Sequence, residues 1–496
     1  MARFEASPAG NIVIRKLPMS RFFLLAFWLA APALFARAES PRPLNFIFIL
    51  ADDLGYGDLS CNGQQRFKTP HIDRLAAEGM SFRQHYSGST VCAPSRSSLL
   101  TGLHTGHTPV RGNLEIQPEG QHPLPAATVT LPKILKAAGY VSGLFGKWGL
   151  GYPGSEGEPL KQGFDRFYGY NCQRLGHHYY PHHLWDDDEK IILNDNAGQM
   201  KNAYAPELIH QKTLAFIEEN RDRPFFCFVA SIIPHAELVA PERYMARHRG
   251  KYGPETPYQG VDDGPTYRKG PYESQAEPHA AFAAMVNILD DHVGEILAKV
   301  RALGLAERTL VIFTSDNGPH REAGADPDYF RSSGGLRGTK RDLYEGGIRV
   351  PMIAWWPGTI QAGTGTAHVS AFWDVLPTFA ELAGAPAPEG LDGISFAPTL
   401  TGRGAQRRHA FLYWEFHEGG GRLALREGDW KVVRNDVRQH PDGPLELYNL
   451  ATDPRETTDL APQNPERVRA MDTKMRAARV DSPVFRFAQT GYLQKK

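Results

Sequence analysis

The sequence predicts an α/β fold: a large, mostly parallel (mixed) central sheet flanked by helices, with a smaller C-terminal subdomain of antiparallel strands plus a helix. Three observations carry this. Short continuous apolar runs recur between Asn45 and Trp356, and runs of that kind suit strands buried on both faces, where alternation would mark a half-exposed strand. Segments with helical spacing lie between them, and strands alternating with helices build a parallel sheet covered on both sides. After about Gly404 the pattern changes to short strand-like runs joined by tight turns.

The N-terminus opens with Arg15, Lys16 and Arg21 ahead of an apolar run from Phe22, and Ala36-Arg37-Ala38 supplies a small-x-small cleavage site. A signal peptide is expected over 1–38, with the mature chain starting near Glu39. Pro32 breaks a run already short for a membrane anchor. The mature protein is expected to be exported, periplasmic or secreted, with no membrane span.

Five strands follow: "NFIFILA" (Asn45 to Ala51), "VSGLF" (Val141 to Phe145), "PFFCFVA" (Pro224 to Ala230), "TLVIFTS" (Thr309 to Ser315) and "VPMIAWW" (Val350 to Trp356). Phe282, Met285, Val286, Leu289, Val293, Ile296, Leu297 and Val300 keep helical spacing, with Gly304 as a C-terminal cap. "HAFLYWEF", "RLALREGDWKVVRND" and "LELYNL" read as antiparallel strands with turns at Glu427-Gly428 and Asp442-Gly443. A helix over roughly Pro465 to Val480 closes the chain. The expected division is a main domain over 39–404 and a subdomain over 405–496.

Lys plus Arg (55) equals Asp plus Glu (55), so no global field draws nucleic acid or anionic membrane; an anion must be bound locally. Four cysteines in 496 residues are too few for a disulfide scaffold, even in an exported protein. Cys227 sits in an apolar run and reads as a core thiol. Whether Cys61 and Cys172 pair is open at this stage. Cys92 lies in "STVCAPSRSSLLTG", small polar residues unable to build a core.

The predicted strands end in chemistry. Asp52 and Asp53 follow the first, Lys147 the second, His235 comes soon after the third, and Asp316 and Asn317 follow the fourth. In open α/β sheets, ligands bind beyond the carboxyl ends of the strands. Asp52, Asp53, Asp316 and Asn317 are oxygen donors only, a set suited to Ca²⁺ or Mg²⁺, whereas zinc calls for His or Cys. Each pair alone also fits a solvated turn or a helix cap.

In this company "VCAPSRSSLLTG", with "ADDLGYGDLSC", "GKWGLG", "TSDNGP" and "LRGTKRDLYEGGIRVP" in this order, resembles the type I (formylglycine-dependent) sulfatases of the alkaline-phosphatase-like superfamily. The resemblance runs from about Asn45 into the C-terminal subdomain. It implies that a formylglycine-generating maturation enzyme oxidises Cys92 to formylglycine. On that resemblance the hydrated aldehyde would bind the metal, Ca²⁺ or Mg²⁺ with the larger ion favoured, and would attack the sulfur of a sulfate ester. Its second hydroxyl would then expel sulfate, which a serine would be unable to do. The resemblance also implies that Asp52, Asp53, Asp316, Asn317 and the modified Cys92 hold the ion and that Arg96 holds the diol. Lys147 and Lys340 would contact sulfate oxygens, and His235 would donate to the leaving oxygen or hold it. One departure stands out. Many relatives carry histidine two residues after the lysine, bonded to the formylglycine hydroxyl; this chain has Gly149. His320, four residues after Asp316, is the expected carrier of part of that work.

"QGFDRFYGYNCQRLGHHYYPHHLW" (Gln162 to Trp185) combines aromatic faces with polar tips, which suits a sugar ring. It resembles a block of carbohydrate sulfatases, and this resemblance implies a galactose-type sugar with Arg174 and His177 as substrate contacts; an aromatic loop packed on the domain is the rival reading. Pro181 breaks any helical spacing of His177, His178, His182 and His183, which argues against zinc. Asp186 to Glu189 reads as a solvated turn. The expected partner is a sulfated carbohydrate. Two alternatives stay open: a phosphomonoester or phosphonate hydrolase of the same superfamily, for which a His in place of Asn317 would be expected, and a catalytically dead sugar-binding homologue.

Overall fold

Asn45–Ala51 (β1) shows why a continuous apolar run is needed. Ile47, Ile49 and Ala51 enter one core while Phe46, Phe48 and Leu50 enter another on the opposite face. Side chains of a strand alternate, so a strand between two cores must be apolar at every position. Each of these large side chains contributes roughly 1.5–3 kcal/mol of gross burial energy. The computed structural model describes residues 43–262 and 272–487; the expected signal peptide, 1–38, lies outside the described residues.

The main sheet adds β2 (Met80–Tyr86), β3 (Val141–Lys147), β4 (Arg166–Tyr170), β5 (His183–Asp186), β6 (Glu189–Ile192), β7 (Phe225–Ala230), β8 (Thr309–Ser315), β9 (Arg349–Trp355) and β10 (Thr364–Ala371). Ten strands lie in the order β10-β2-β9-β8-β1-β7-β3-β4-β5-β6. β8, β1, β7, β3 and β4 are mutually parallel neighbours, while β9 runs antiparallel to both β8 and β2. β4, β5 and β6 finish as antiparallel neighbours, with Asp186 and Glu189 closing the β5–β6 hairpin. The fold is therefore mixed and mostly parallel, as expected. The five predicted strands all form, within two residues at each end.

The predicted long helix spans Pro278–Ala302 and buries Phe282, Met285, Leu289, Val293 and Ile296 in the first core. Gly304 follows at φ +67°, a left-handed conformation that favours glycine. The Cys92–Thr101 segment, read from sequence as unable to build a core, is instead a helix with all ten residues buried. Its hydroxyls are satisfied internally: Thr101 Oγ1 donates to Ser97 O (2.7 Å), Ser98 Oγ to Leu103 O (2.5 Å) and Ser95 Oγ to Asp316 O (2.6 Å). Small polar residues can be buried when each finds a partner.

The C-terminal sheet consists of β11 (Leu412–Phe416), β12 (Arg422–Glu427), β13 (Trp430–Arg434) and β14 (Glu446–Asn449), antiparallel in chain order. The closing helix is Pro465–Ala477. A third core joins this sheet to the main body through Trp414, Phe416, Ala424 and Val433 against Tyr86, Ile348 and Trp373. A buried ion triad pins the joint: Lys431 Nζ lies 3.0 Å from Glu345 Oε1 and 2.9 Å from Glu456 Oε1, all three side chains inaccessible. Burial, with Glu345's charge adding to it, pushes the Glu456 carboxyl up to about 7 despite Lys431. Lys431→Met would leave two carboxylates facing each other in the core. It is expected to cost roughly 3–5 kcal/mol, the usual penalty for breaking a buried pair. A thermal melt reads this directly, and an unchanged midpoint would reject the anchoring role.

Cys61 and Cys172 are not joined to each other: Cys61 is exposed, whereas Cys172 is buried and its Sγ accepts from Leu175 N (3.3 Å). Cys227 is buried within β7. Among the described residues, no helix is long and apolar enough to cross a membrane.

Candidate active site

Strand order explains why residues far apart in sequence meet. β8, β1, β7 and β3 are consecutive and parallel, so their carboxyl ends deliver Asp316 and Asn317, Asp52 and Asp53, the His235 loop, and Lys147 to one place. Adjacent residues on a strand point to opposite sides, yet Asp52 and Asp53 both face the site. Asp53 adopts φ +63°, and this left-handed turn, uncommon outside glycine, breaks the alternation. Asp53 N donates to Asp316 Oδ1 (3.1 Å), which fixes the turn.

Cys92 begins its helix, where the backbone N–H groups carry partial positive charge. The N-cap, Val91, has no side-chain acceptor; Asn113 Oδ1 accepts from Ala93 N (3.0 Å) in its place. The Cys92 thiol donates to Asp52 Oδ1 (3.2 Å), and Lys147 Nζ lies 3.5 Å from its sulfur. Burial pushes this thiol well above its ordinary pKa, and Asp52's charge adds to the effect. It is a protonated thiol, not the thiolate that a cysteine nucleophile requires.

Three carboxylates face three cations. Lys147 Nζ lies 2.6 Å from Asp52 Oδ2, Lys340 Nζ lies 2.8 Å from Asp53 Oδ2, and Arg96 Nη2 lies 3.3 Å from Asp52 Oδ2 and 3.1 Å from Asp316 Oδ2. Arg96 Nη1 also donates to Lys147 O (2.5 Å), which ties the helix to the end of β3. Burial opposes the charge on Asp52, but Lys147, with Arg96 and Lys340, holds its carboxyl well below the usual range. Burial and the Asp52 charge push Asp316 up to about 7. Two interacting carboxylates in one dry site share this conflict until a further cation joins them.

The donor set fits a hard divalent cation. The potential ligand atoms of Asp52, Asp53, Cys92 and His235 all lie within 4.8 Å of one another. Asn317 Nδ2 is used up, donating to Asp53 Oδ1 (2.6 Å) and Gly318 O (2.9 Å), while its Oδ1 is buried without a hydrogen-bond partner. An orphaned carbonyl oxygen among carboxylates is what an oxygen-binding cation takes up.

His235 Nδ1 donates to Ala236 O, which leaves Nε2 to accept from Lys340 Nζ (3.0 Å). Burial, with Lys340 and Lys147 nearby, holds His235 well below its ordinary pKa. The imidazole is neutral and the proton of this pair resides on Lys340, so His235 Nε2 acts as an acceptor here; the expectation from sequence is that His235 donates to the leaving oxygen or holds it. His177 stacks on His235, ring centroids 4.6 Å apart. His320 reaches the same neighbourhood, but Nε2 donates to Pro234 O (3.0 Å) and Nδ1 accepts from Glu322 N (3.1 Å). With both nitrogens committed to backbone, it offers no lone pair to take over the work of the histidine absent at Gly149. Arg174 is likewise committed, forming a two-point pair with Glu115. In the block expected to stack a sugar, Tyr170 and Tyr179 are buried, their hydroxyls donating to His178 O and Ile232 O.

Sequence reasoning missed Glu322, which sits 3.4 Å from Lys340 Nζ, pairs with Arg341 and accepts from Tyr272 OH (3.1 Å). It also missed Asn113, which no motif marks.

A mixed α/β sheet whose parallel strand ends gather hard-cation donors, three basic side chains and a helix-initial cysteine defines a type I sulfatase of the alkaline-phosphatase-like superfamily. The comparisons agree: the chain belongs to the sulfatase family, with the family described as Sulfatase matching residues 44–385 and the one described as N-sulphoglucosamine sulphohydrolase, C-terminal, matching 338–481. It is 34% identical to arylsulfatase A of Homo sapiens, covering 91% of each chain. It is 32% identical to N-acetylgalactosamine-6-sulfatase of Mus musculus, over 80% of this chain and 72% of that one. The crystal structure of Ps i-CgsB superposes with a TM-score of 0.73 at 25% identity, over 91% of this chain and 96% of that one.

Proposed function

We propose that this sulfatase removes sulfate from a sulfated saccharide, using a formylglycine made from Cys92 by a maturation enzyme and a divalent cation, Ca²⁺ in preference to Mg²⁺. The observation that carries the reading is the buried convergence of Asp52, Asp53, Asp316 and Asn317 with Arg96, Lys147 and Lys340 around the buried Cys92 thiol. In the structure Cys92 Sγ stands where an oxygen of the formylglycine hydrate would be. Asp52, Asp53, Asp316 and Asn317, with that oxygen, would hold the ion. When bound, the ion supplies Lewis acidity toward the nucleophilic oxygen and positive charge beside the sulfate.

The protein's own groups do the rest. Arg96, fixed by Lys147 O and two carboxylates, holds the side chain at 92 in place. Lys147 and Lys340 present ammonium groups to sulfate oxygens, where fixed cations in a dry site stabilise the charge that builds on the bridging oxygen. Lys340 carries the proton of the His235 pair and is the group placed to donate to the leaving oxygen, with His235 as its acceptor and positioner. The saccharide reading draws support from the N-acetylgalactosamine-6-sulfatase relatives and from His177, part-exposed and stacked on His235. A galactose-type sugar remains the favoured substrate class. Export follows from the N-terminal sequence, and the division into 39–404 and 405–496 is the proposed domain boundary.

Two measurements test this. Mass spectrometry of the peptide holding residue 92, from the native host, is expected to show the aldehyde; a wholly unmodified thiol would favour a sugar-binding role without turnover. Hydrolysis of 4-nitrophenyl sulfate is expected to exceed that of 4-nitrophenyl phosphate; the reverse order would move the chain to the phosphoesterase branch.

A further inference from the structure

Gly149 leaves the site without a side chain two residues beyond Lys147, and the structure shows what fills the space. A Cβ at position 149 would lie 2.0 Å from Gln173 Nε2 and 2.8 Å from its Cδ. The Gln173 amide thus lies directly against Gly149. Gly149 also has φ +80°, so its backbone and its neighbour both favour glycine. Gln173 is 6% exposed, and both Nε2 and Oε1 are buried with no hydrogen-bond partner. Asn171 Oδ1, two residues earlier, is a further buried orphan, while the Asn171 backbone oxygen accepts from Gly149 N (3.1 Å).

A buried primary amide with neither end satisfied is rare in native proteins and calls for an explanation. The backbone of Gln173 is firmly held, its N donating to Gln121 Oε1 (2.8 Å). Nor is it remote from the chemistry. The same segment wraps Lys147: a Cβ at Gly176 would meet Lys147 Cδ at 3.3 Å, and His177 stacks on His235. Lys147 Nζ is in turn 3.5 Å from Cys92 Sγ.

We propose that Gln173 is a substrate-binding residue that takes the place left open at Gly149: its Nε2 donates to an oxygen of the sulfate group, and its Oε1 accepts from a hydroxyl beside it. An amide neither gains nor loses a proton at any working pH, so this role is binding and orientation, not acid or base chemistry. It adds a neutral donor to the charged set of Lys147 and Lys340. The inference rests on the sulfatase reading, and the test separates the two.

Gln173→Met keeps the length and packing over Gly149 but removes both polar atoms. If Gln173 only fills space, the variant should behave like the parent, or melt slightly higher because two orphans are gone. As a sulfate ligand, its loss is expected to weaken inorganic sulfate binding by about 10- to 100-fold in titration calorimetry, the value of one hydrogen bond to a charged group. kcat/KM for sulfate-ester hydrolysis should fall by a similar factor while the melting midpoint is kept. Gln173→Glu, which brings a carboxylate toward the anion, is expected to bind sulfate more weakly still. Sulfate affinity within about twofold of the parent in Gln173→Met would overturn the proposal, whatever the activity. A parent protein that releases no sulfate from any ester would instead count against the sulfatase reading, and calorimetry would still decide the role of Gln173.

Discussion

Cys92→Ser, produced as the matured enzyme is, is expected to transfer one sulfate and stop. A serine hydroxyl in this position attacks the sulfur, the S–O bond to the sugar breaks, and the sugar oxygen leaves with a proton. The product is a serine sulfate ester with no second hydroxyl on the same carbon, so nothing on the side chain expels the sulfate. Turnover should fall by about 10⁴-fold or more, as for loss of a covalent nucleophile elsewhere. Intact mass should rise by one SO₃ group per chain, and peptide mapping should place it at residue 92. Cys92→Ala should lose activity to a similar extent and carry no adduct. Unmatured protein that keeps the thiol should also be inactive, because burial and Asp52 hold it protonated and a thiol is a poor partner for a hard cation. Serine variants that turn over like the parent would remove the need for formylglycine.

The sequence disclosed most of this site because its residues sit at punctuation points. β1 and β8 end in Asp-Asp and Asp-Asn, and buried parallel strands are easy to read when every position is apolar. β2 was not legible: Met80–Tyr86 carries Arg83, Gln84 and His85 within seven residues, and the buried His85 is accommodated by a distant partner, its Nδ1 meeting Ser370 Oγ at 2.8 Å. The Cys92 helix was hidden for a related reason. Ser, Thr and Pro94 carry weak helical preference, and tertiary hydrogen bonds to Asn113, Thr108 and Asp316, with Leu99 and Leu100 in the core, support that helix.

Side-chain commitments were the other blind spot. Arg174 and His320 are of the right chemical type and lie in the right blocks, yet Glu115 and two backbone groups have already claimed them. Gln173 is the converse, an ordinary residue in the quoted aromatic block whose importance appears only once its amide is seen against Gly149. Residue type and spacing report what a side chain is able to do; they do not report whether its hydrogen-bonding capacity is still free.

Removal of the divalent ion is expected to abolish turnover, and the reason lies in the charge balance of the cluster. Asp52, Asp53 and Asp316 offset Arg96, Lys147 and Lys340, and the lysine ammonium groups lie on the carboxylates at 2.6 and 2.8 Å. Six side chains in this arrangement present no surplus positive charge to an anion. With a dication held by the same carboxylates, that surplus would be present, and Lys147 and Lys340 would be free to face sulfate oxygens. Dialysis against EGTA should therefore lower kcat by about 10³-fold or more and weaken inorganic sulfate binding in parallel. Added Ca²⁺ should restore both, and more fully than Mg²⁺, because several carboxylate and amide oxygens around a bulky hydrate suit the larger, geometrically tolerant ion. Asn317→Leu separates donor from shape: it removes the orphaned oxygen at similar volume and should raise the Ca²⁺ concentration needed for half-maximal recovery about 10- to 100-fold, the value of one lost oxygen ligand when a hydrogen bond to a charged group is taken as the scale. Full activity at metal contents far below one ion per chain would show that the carboxylates serve only to hold the cations in place.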